Sequence, residues 1–204
     1  MFINKKEYLS NPCGTLSIPY WKNEIIKISS NIEIIHKNNF KHQFNKYQRF
    51  YRLLNKLDSI ENPKMNVEMI NLEIDKAQLI EMINICYKNQ NISVTDSDII
   101  NFTKHPTYSD KLWIKIMEKG MMVASGIAEY DKELNEGVLE WIQVLPEYQN
   151  KGYGKDIVNA LLMKLQEIGA QFVTVSGNLD NINSLKLYKS CGFIGDDIWY
   201  ICEK

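Results

Sequence analysis

The 204-residue chain carries 24 basic and 25 acidic side chains, a net charge of −1, and 45% apolar residues. That balance argues against a polyanionic partner such as a nucleic acid and against a disordered chain. The length suits one ordinary domain, or one domain with an extension, and no run is long and apolar enough to span a membrane.

The positive charge is nearly all lysine, with Arg49 and Arg52 as the arginines. Cys13, Cys86, Cys191 and Cys202 have neither zinc-pair nor Cys-x-x-Cys spacing and read as reduced thiols. Residues 1–10 are charged and lack an apolar stretch, so no signal peptide is read and a cytoplasmic location is expected. His36, His42 and His105 lack metal-ligand spacing, so no metal is expected.

Residues 1–64 differ in texture from the rest. Pro12, Gly14 and Pro19 mark residues 11–22 as a structured loop rather than a helix. Residues 31–36 suit a short strand. Phe40, Phe44, Tyr47, Tyr51 and Leu54 then recur at intervals of four and three, the spacing of an amphipathic helix that packs on the main domain or on a second copy. The lysines and arginines around that stripe read as a solvated face. Asn62-Pro63 closes this extension, and the main domain runs over 65–204.

From there the pattern alternates. Residues 66–72 read as a strand and 75–87 as a helix, and Thr95 to Asp98 can cap a second helix that stops before Pro106. Residues 112–117 and 121–130 form a hairpin around Lys119-Gly120, and 137–145 form the next strand. A helix closed by Gly169 follows, then a strand over 172–175, a helix capped by Asn181 and ended at Gly192, and a last strand over 193–202. The order β-α-α-β-β-β-α-β-α-β predicts a mixed α/β sheet with helices on both faces.

The turn between the 137–145 strand and its helix reads Val144-Leu145-Pro146-Glu147-Tyr148-Gln149-Asn150-Lys151-Gly152-Tyr153-Gly154. A strand feeding a glycine turn and a helix start makes an anion pocket, because the first helical N–H groups lack partners. A P-loop is excluded, since Asp156 follows Lys155 where Ser or Thr is required. The dinucleotide turn lacks its third glycine.

The remaining match is an acyl-coenzyme-A turn. Val144, Pro146, Tyr148, Gln149, Gly152 and Gly154 resemble the main motif of the GCN5-related N-acetyltransferase (GNAT) family. Asn181-x-x-Ser184-x-x-Leu187-Tyr188-x-x-x-Gly192-Phe193 resembles a second signature of that family, with serine where the family pattern has alanine. The match is strongest over 137–195. Residues 11–22 resemble an N-terminal segment of some bacterial relatives.

The resemblance implies the acyl-CoA N-acyltransferase fold, a mixed, mostly antiparallel twisted sheet. It implies acetyl-CoA as co-substrate and acetyl transfer to a primary amine by direct attack in a ternary complex. The backbone N–H groups from Asn150 through Lys151, Gly152, Tyr153 and Gly154 to Lys155 would hold the pyrophosphate, next to Gln149. Ile142, Gln143 and Val144 would bond the pantetheine arm where their strand splays at a bulge, and Asn181 would meet the cofactor from the opposite wall. A backbone N–H near 142–144 would stabilise the oxyanion, and Tyr188 takes the general-acid position.

Glu140 is the candidate base, on an otherwise apolar strand; Ser176 stands where some relatives carry a glutamate and cannot serve. Glu129, Asp131, Glu133 and Glu136 read as a polar hairpin turn rather than an amine-attracting patch. Trp21 and Trp141 line an acceptor pocket or fill core. Cys191 lacks a neighbouring His and is not read as a nucleophile. The acceptor is a small amine or a peptide amine, with neither nucleic acid nor membrane as partner, and the chain is a monomer or homodimer. The rival expectation is a non-catalytic acyl-CoA sensor that uses 1–64 as its partner surface; transfer of a longer acyl or aminoacyl group is a third reading.

Overall fold

The computed structural model describes residues 3–41, 43–90 and 92–204. Met1 and His42, which entered the targeting and metal readings, lie outside the described residues. Eight strands form one sheet: β1 (Ile32–His36), β2 (Tyr47–Asn55), β3 (Glu68–Met69), β4 (Trp113–Glu118), β5 (Met121–Asp131), β6 (Glu136–Val144), β7 (Phe172–Asn178) and β8 (Ile194–Glu203). Their order across the sheet is β1-β8-β2-β7-β6-β5-β4-β3. Among the described residues only the β6–β7 pair is parallel.

Among the described residues seven α-helices accompany the sheet: α1 (Lys5–Ser10), α2 (Pro12–Thr15), α3 (Tyr20–Ile25), α4 (Leu72–Tyr87), α5 (Asp96–Phe102), α6 (Tyr153–Glu167) and α7 (Ile182–Ser190). Successive strand residues point to opposite faces, and the core divides accordingly. Ile114 of β4 belongs to one core cluster, with Ile157, Leu161 and Leu165 of α6 and Tyr188 of α7. Its neighbour Trp113 packs with Leu79 and Ile83 of α4 and Ile99 of α5. Helices therefore cover both faces, as the element order predicts.

Local chemistry sets the helix starts. Thr95 and Asp98 form a reciprocal capping box on α5. Asn181 accepts from the Ser184 N–H and caps α7. The strand expected over 66–72 shrinks to Glu68–Met69, because Asn71 caps α4 and Leu72 is already helical.

The first 64 residues correct two expectations. Residues 11–22 are not simply a loop: Asn11 caps α2 with Pro12 at its first position, and Pro19 precedes α3. A proline there costs no hydrogen bond, since the first helical N–H groups are unpartnered anyway. The expected amphipathic helix is instead the strand β2, bonded to β8 on one side and β7 on the other. Tyr51 and Leu53 enter the α6 core while Arg52 is buried on the opposite face. A strand buried on both faces loses its polar–apolar alternation, and the aromatic spacing then mimics a helical stripe.

Arg52 fixes the N-terminal segment to the sheet. Its guanidinium donates to the Leu16 carbonyl at 2.9 Å, the Tyr8 hydroxyl at 2.6 Å and Glu136 at 3.3 Å. Helices α1–α3 thereby lie on the same sheet face as α4 and α5, and Lys22 of α3 reaches Glu129 and Glu140 in the gap between the two groups.

Candidate active site

The sheet opens between β6 and β7. Their pairing stops at Leu139↔Val175. At the same point Ile127 pairs with Trp141 and Ala128 with Leu139, which leaves Glu140 as the extra residue of a bulge. Beyond the bulge β6 follows β5 alone. The Leu145 N–H donates to Val123 O at 3.0 Å, so every second residue back from it, Gln143 and Trp141, also points its backbone at β5. Ile142 and Val144 therefore turn their N–H and C=O groups into the opening. Gln143 departs from the expectation: its backbone faces β5, and its buried amide donates to Ser125 Oγ at 2.6 Å.

The opening leads, on the α6–α7 face, into a cleft of about 480 Å³. Ile142 and Val144 form its inner end, Gln149, Asn150, Gly152, Gly154 and Lys155 one wall, and Asn181, Ser184 and Leu187 the other. Gly152 has φ of 96° at the N-cap of α6 and offers no side-chain cap. That left-handed turn suits glycine. Asp156 is the first α6 residue whose N–H finds a helical acceptor, Gly152 O at 3.1 Å. The N–H groups of Tyr153, Gly154 and Lys155 stay open at the positive end of the helix. Asp156 leaves that end clear, since its buried carboxylate accepts from the Lys64 and Met65 N–H groups.

Other predicted residues take different places. Gly154 lets α6 approach α7, where a Cβ would meet Leu187 at 3.2 Å. The Lys151 ammonium lies 5.1 Å from the Tyr148 ring centre, and Lys155 pairs with Glu61 at 2.8 Å. The Tyr153 hydroxyl donates to Glu118 at 2.9 Å and is turned from the cleft.

Tyr188 of α7 is 7% exposed, edge-on to Phe193, and does not itself line the cleft, whose wall its helix forms through Asn181, Ser184 and Leu187. Its hydroxyl makes no hydrogen bond among the described residues. Burial raises its pKa well above the ordinary phenol value, and Tyr51, Tyr87, Cys191 and Glu140 add to the rise. Tyr51 reaches this neighbourhood from β2, and its hydroxyl shares a 2.7 Å hydrogen bond with Ser184. A Cβ at Gly177 would overlap that hydroxyl. Tyr87 of α4 donates to Ile142 O at 3.3 Å.

The other mouth of the opening lies on the α3–α4–α5 face. Glu140 stands there between a cavity of about 30 Å³ and one of about 260 Å³. The smaller is walled by Phe102, Tyr108, Trp113, Trp141 and Glu129; the larger includes Pro19, Lys22 and Ser176. Lys22 of α3 places its ammonium 2.5 Å from Glu140 and 3.9 Å from Glu129. His105 Nδ1 sits 2.7 Å from Glu129 Oε1. Burial pushes the Glu129 carboxyl up to about 7, with Glu140 adding and Lys22 and His105 opposing.

The acidic residues read as one polar turn thus separate. Glu133 is exposed and pairs with Lys5, Asp131 accepts from the Glu133 and Leu134 N–H groups, Glu136 is buried against Arg52, and Glu129 faces the smaller of the two cavities. Glu129, His105 and Lys22 are the residues that sequence reasoning missed. Glu129 carried a signal: it interrupts the apolar run of β5 as Glu140 interrupts that of β6.

Among the described residues no group of three or more His, Cys, Asp or Glu is arranged to hold a metal ion. All four cysteines are free, and no described helix is long and apolar enough to cross a membrane.

A mixed open sheet split beside a glycine turn defines the class of acyl-CoA N-acyltransferase folds. The family model described as "Acetyltransferase (GNAT) family" matches residues 77–193, more than half of the sequence, and the chain belongs to that family. Among solved structures, a GCN5-related N-acetyltransferase from Sphaerobacter thermophilus superposes with a TM-score of 0.68 at 14% identity. The alignment covers 80% of this chain and 53% of that one, so the chain spans about half the length of that protein. The ribosomal-protein-S18-alanine N-acetyltransferase from Escherichia coli is similar at TM-score 0.55 and 18% identity, covering 67% of this chain and 90% of that one. An aminoglycoside acetyltransferase from an uncultured soil metagenomic sample, in complex with sisomicin, gives 0.53 at 16%, covering 62% and 86%. At these identities the likeness is one of fold. Comparison with curated proteins found no match.

Proposed function

We propose that the chain is an acetyl-CoA-dependent N-acetyltransferase that modifies a primary amine. The observation that carries this reading is the bulge at Glu140, which opens the sheet between an uncapped helix start on one face and a carboxylate pair on the other. The residues present fit the co-substrate. The open N–H groups of Tyr153, Gly154 and Lys155 suit a pyrophosphate, and the N–H groups that Ile142 and Val144 turn into the opening suit an extended amide-bearing arm, although the Ile142 and Val144 carbonyls already accept from Tyr87 and Gln149. When bound, acetyl-CoA supplies an acetyl group activated as a thioester.

The chain's own groups do the rest. An outward N–H on β6 offers a hydrogen bond to developing negative charge on a carbonyl oxygen. Tyr188 keeps its proton throughout the neutral range, because burial raises its pKa, and so acts as a donor toward a departing sulfur. Glu129 titrates near 7, within the range where a carboxylate both accepts a proton from an ammonium group and releases it to water. Glu140, 2.5 Å from the Lys22 ammonium, orients the cation beside it. The sequence-based choice of Glu140 as base thus widens to a pair.

The test is thiol release across a panel of small and peptide amines, with coenzyme A affinity measured by calorimetry on the same preparations. Tyr188→Phe should lower turnover at least about tenfold and leave coenzyme A affinity within about twofold. Absence of coenzyme A binding by the wild type sinks the reading. Binding without thiol release from any amine favours a sensor instead.

A further inference from the structure

The acceptor-side cavity already contains a cation, and that cation belongs to the chain. Lys22 extends from α3 so that its ammonium lies 2.5 Å from Glu140 and 3.9 Å from Glu129, and 5.3 Å from the Trp21 ring centre. Aromatic faces and carboxylates are two of the devices by which proteins hold ammonium groups. The cavity beside it has both, with Phe102, Tyr108, Trp113 and Trp141 around Glu129 and Glu140.

Two further observations show that Lys22 fills this site incompletely. Glu129 is 6% exposed, yet its Oε2 is buried without a hydrogen bond, because the Lys22 ammonium stops too far away. The space left, about 30 Å³, holds roughly one or two water-sized groups. A buried carboxylate oxygen aimed into such a space lacks one donor. The Lys22 ammonium reaches the carboxylates on a flexible four-carbon stem, so its displacement needs rotation of that side chain and not movement of α3.

We infer that Glu129, Glu140 and the aromatic walls form a subsite for a primary alkylammonium group of the acceptor, and that Lys22 occupies this subsite until the acceptor displaces it. One positive charge replaces another, so the carboxylate pair is never left bare. Three N–H donors on a free ammonium can reach Glu140, Glu129 Oε2 and one further acceptor, which the tethered lysine does not do. The inference rests on the reading of the chain as an amine acetyltransferase and names the acceptor chemistry of the same site.

The test is calorimetric titration of the full chain with butylammonium, using butanol and tetraethylammonium as controls. Lys22→Met should bind butylammonium about tenfold more tightly than the wild type, since an internal competitor has been removed. That gain should vanish in Lys22→Met/Glu140→Gln. Butanol should bind neither protein measurably, and tetraethylammonium, too bulky for the cavity, should gain nothing. Lys22→Gln repeats the measurement should methionine disturb α3. Equal affinity of wild type and variant, equal binding of butanol, or an equal gain for tetraethylammonium overturns the subsite. Thiol release separates the two claims: turnover without selective ammonium binding leaves the transferase standing and removes the subsite, and selective binding without turnover does the reverse.

Discussion

Glu136 and Glu140 stand four residues apart on β6, both turned to the sheet face that the N-terminal segment covers, and they do opposite things. Glu136 is fully buried with every oxygen engaged. Thr174 donates at 2.6 Å, Tyr8 at 2.7 and 2.8 Å, and Arg52 at 3.3 Å. Its partners sit on the adjacent strand β7, on β2 beyond it and on α1. Glu140 and its neighbour Glu129 are served by one flexible lysine and one histidine, and an oxygen of Glu129 is left over. A buried acid whose hydrogen bonds are complete is part of the frame. One whose set is incomplete is available to a ligand. The N-terminal segment supplies Tyr8 to the first and Lys22 to the second, so it closes the frame and guards the site at once.

The strongest way to break that comparison is Arg52→Met. It leaves Glu136 buried without its cation, and such losses cost about 3–5 kcal/mol. A urea midpoint should fall accordingly with its slope unchanged. A loss below about 1 kcal/mol would mean that the cluster is not structural.

The next effect concerns pH. Glu129 titrates at about 7 in the folded chain against an ordinary 4.5, so between those values the folded state holds more proton than the unfolded one. Stability therefore falls as pH rises through this window, by at most about 3 kcal/mol, and the loss is complete above about pH 7. Glu129→Gln lacks this slope. Unfolding measured at pH 5 and pH 8 should show wild type losing more than the variant over that interval, and parallel losses would contradict it. Glu140→Gln sharpens the contrast through activity: turnover should drop roughly a hundredfold, worth about 2.7 kcal/mol, with coenzyme A affinity retained.

The cofactor side was more legible in the sequence than the acceptor side, for a physical reason. Gly152, Asn181 and the helix starts they set are local: a glycine turn and a side-chain cap act within one to four residues, and the sequence displays that spacing directly. The alternation that turns Ile142 and Val144 outward and Gln143 inward was not drawn from the sequence, because it depends on which neighbour β6 keeps. The acceptor side joins Lys22 with Glu129, over 100 positions apart, and the frame beside it joins Arg52 with Glu136 across 84; no local pattern records such meetings. The strand β2 was misread for the same reason, since its partners are β7 and β8 and both of its faces are buried. Glu129 was set aside with its hairpin neighbours although its place in the β5 run separated it from Glu133, which does lie in the turn.

The smallest expected effect lies where the N-terminal segment meets the cofactor side. Ser184 replaces the alanine of the family motif, and its hydroxyl reaches both Tyr51 at 2.7 Å and the Asn181 carbonyl at 2.8 Å. Burial pushes the Tyr51 hydroxyl up to about 12, with Ser184 opposing, so Tyr51 remains neutral. Ser184→Ala removes the hydrogen-bond partner of a largely buried hydroxyl, at a cost of about 1–2 kcal/mol. Tyr51→Phe should cost less, because Ser184 keeps the Asn181 carbonyl as acceptor. The double variant should then cost less than the two single losses added together, as expected for residues in contact. Strict additivity in urea unfolding would show that β2 and α7 are packed side by side without being energetically joined, and the serine would then be no more than a tolerated departure from the motif.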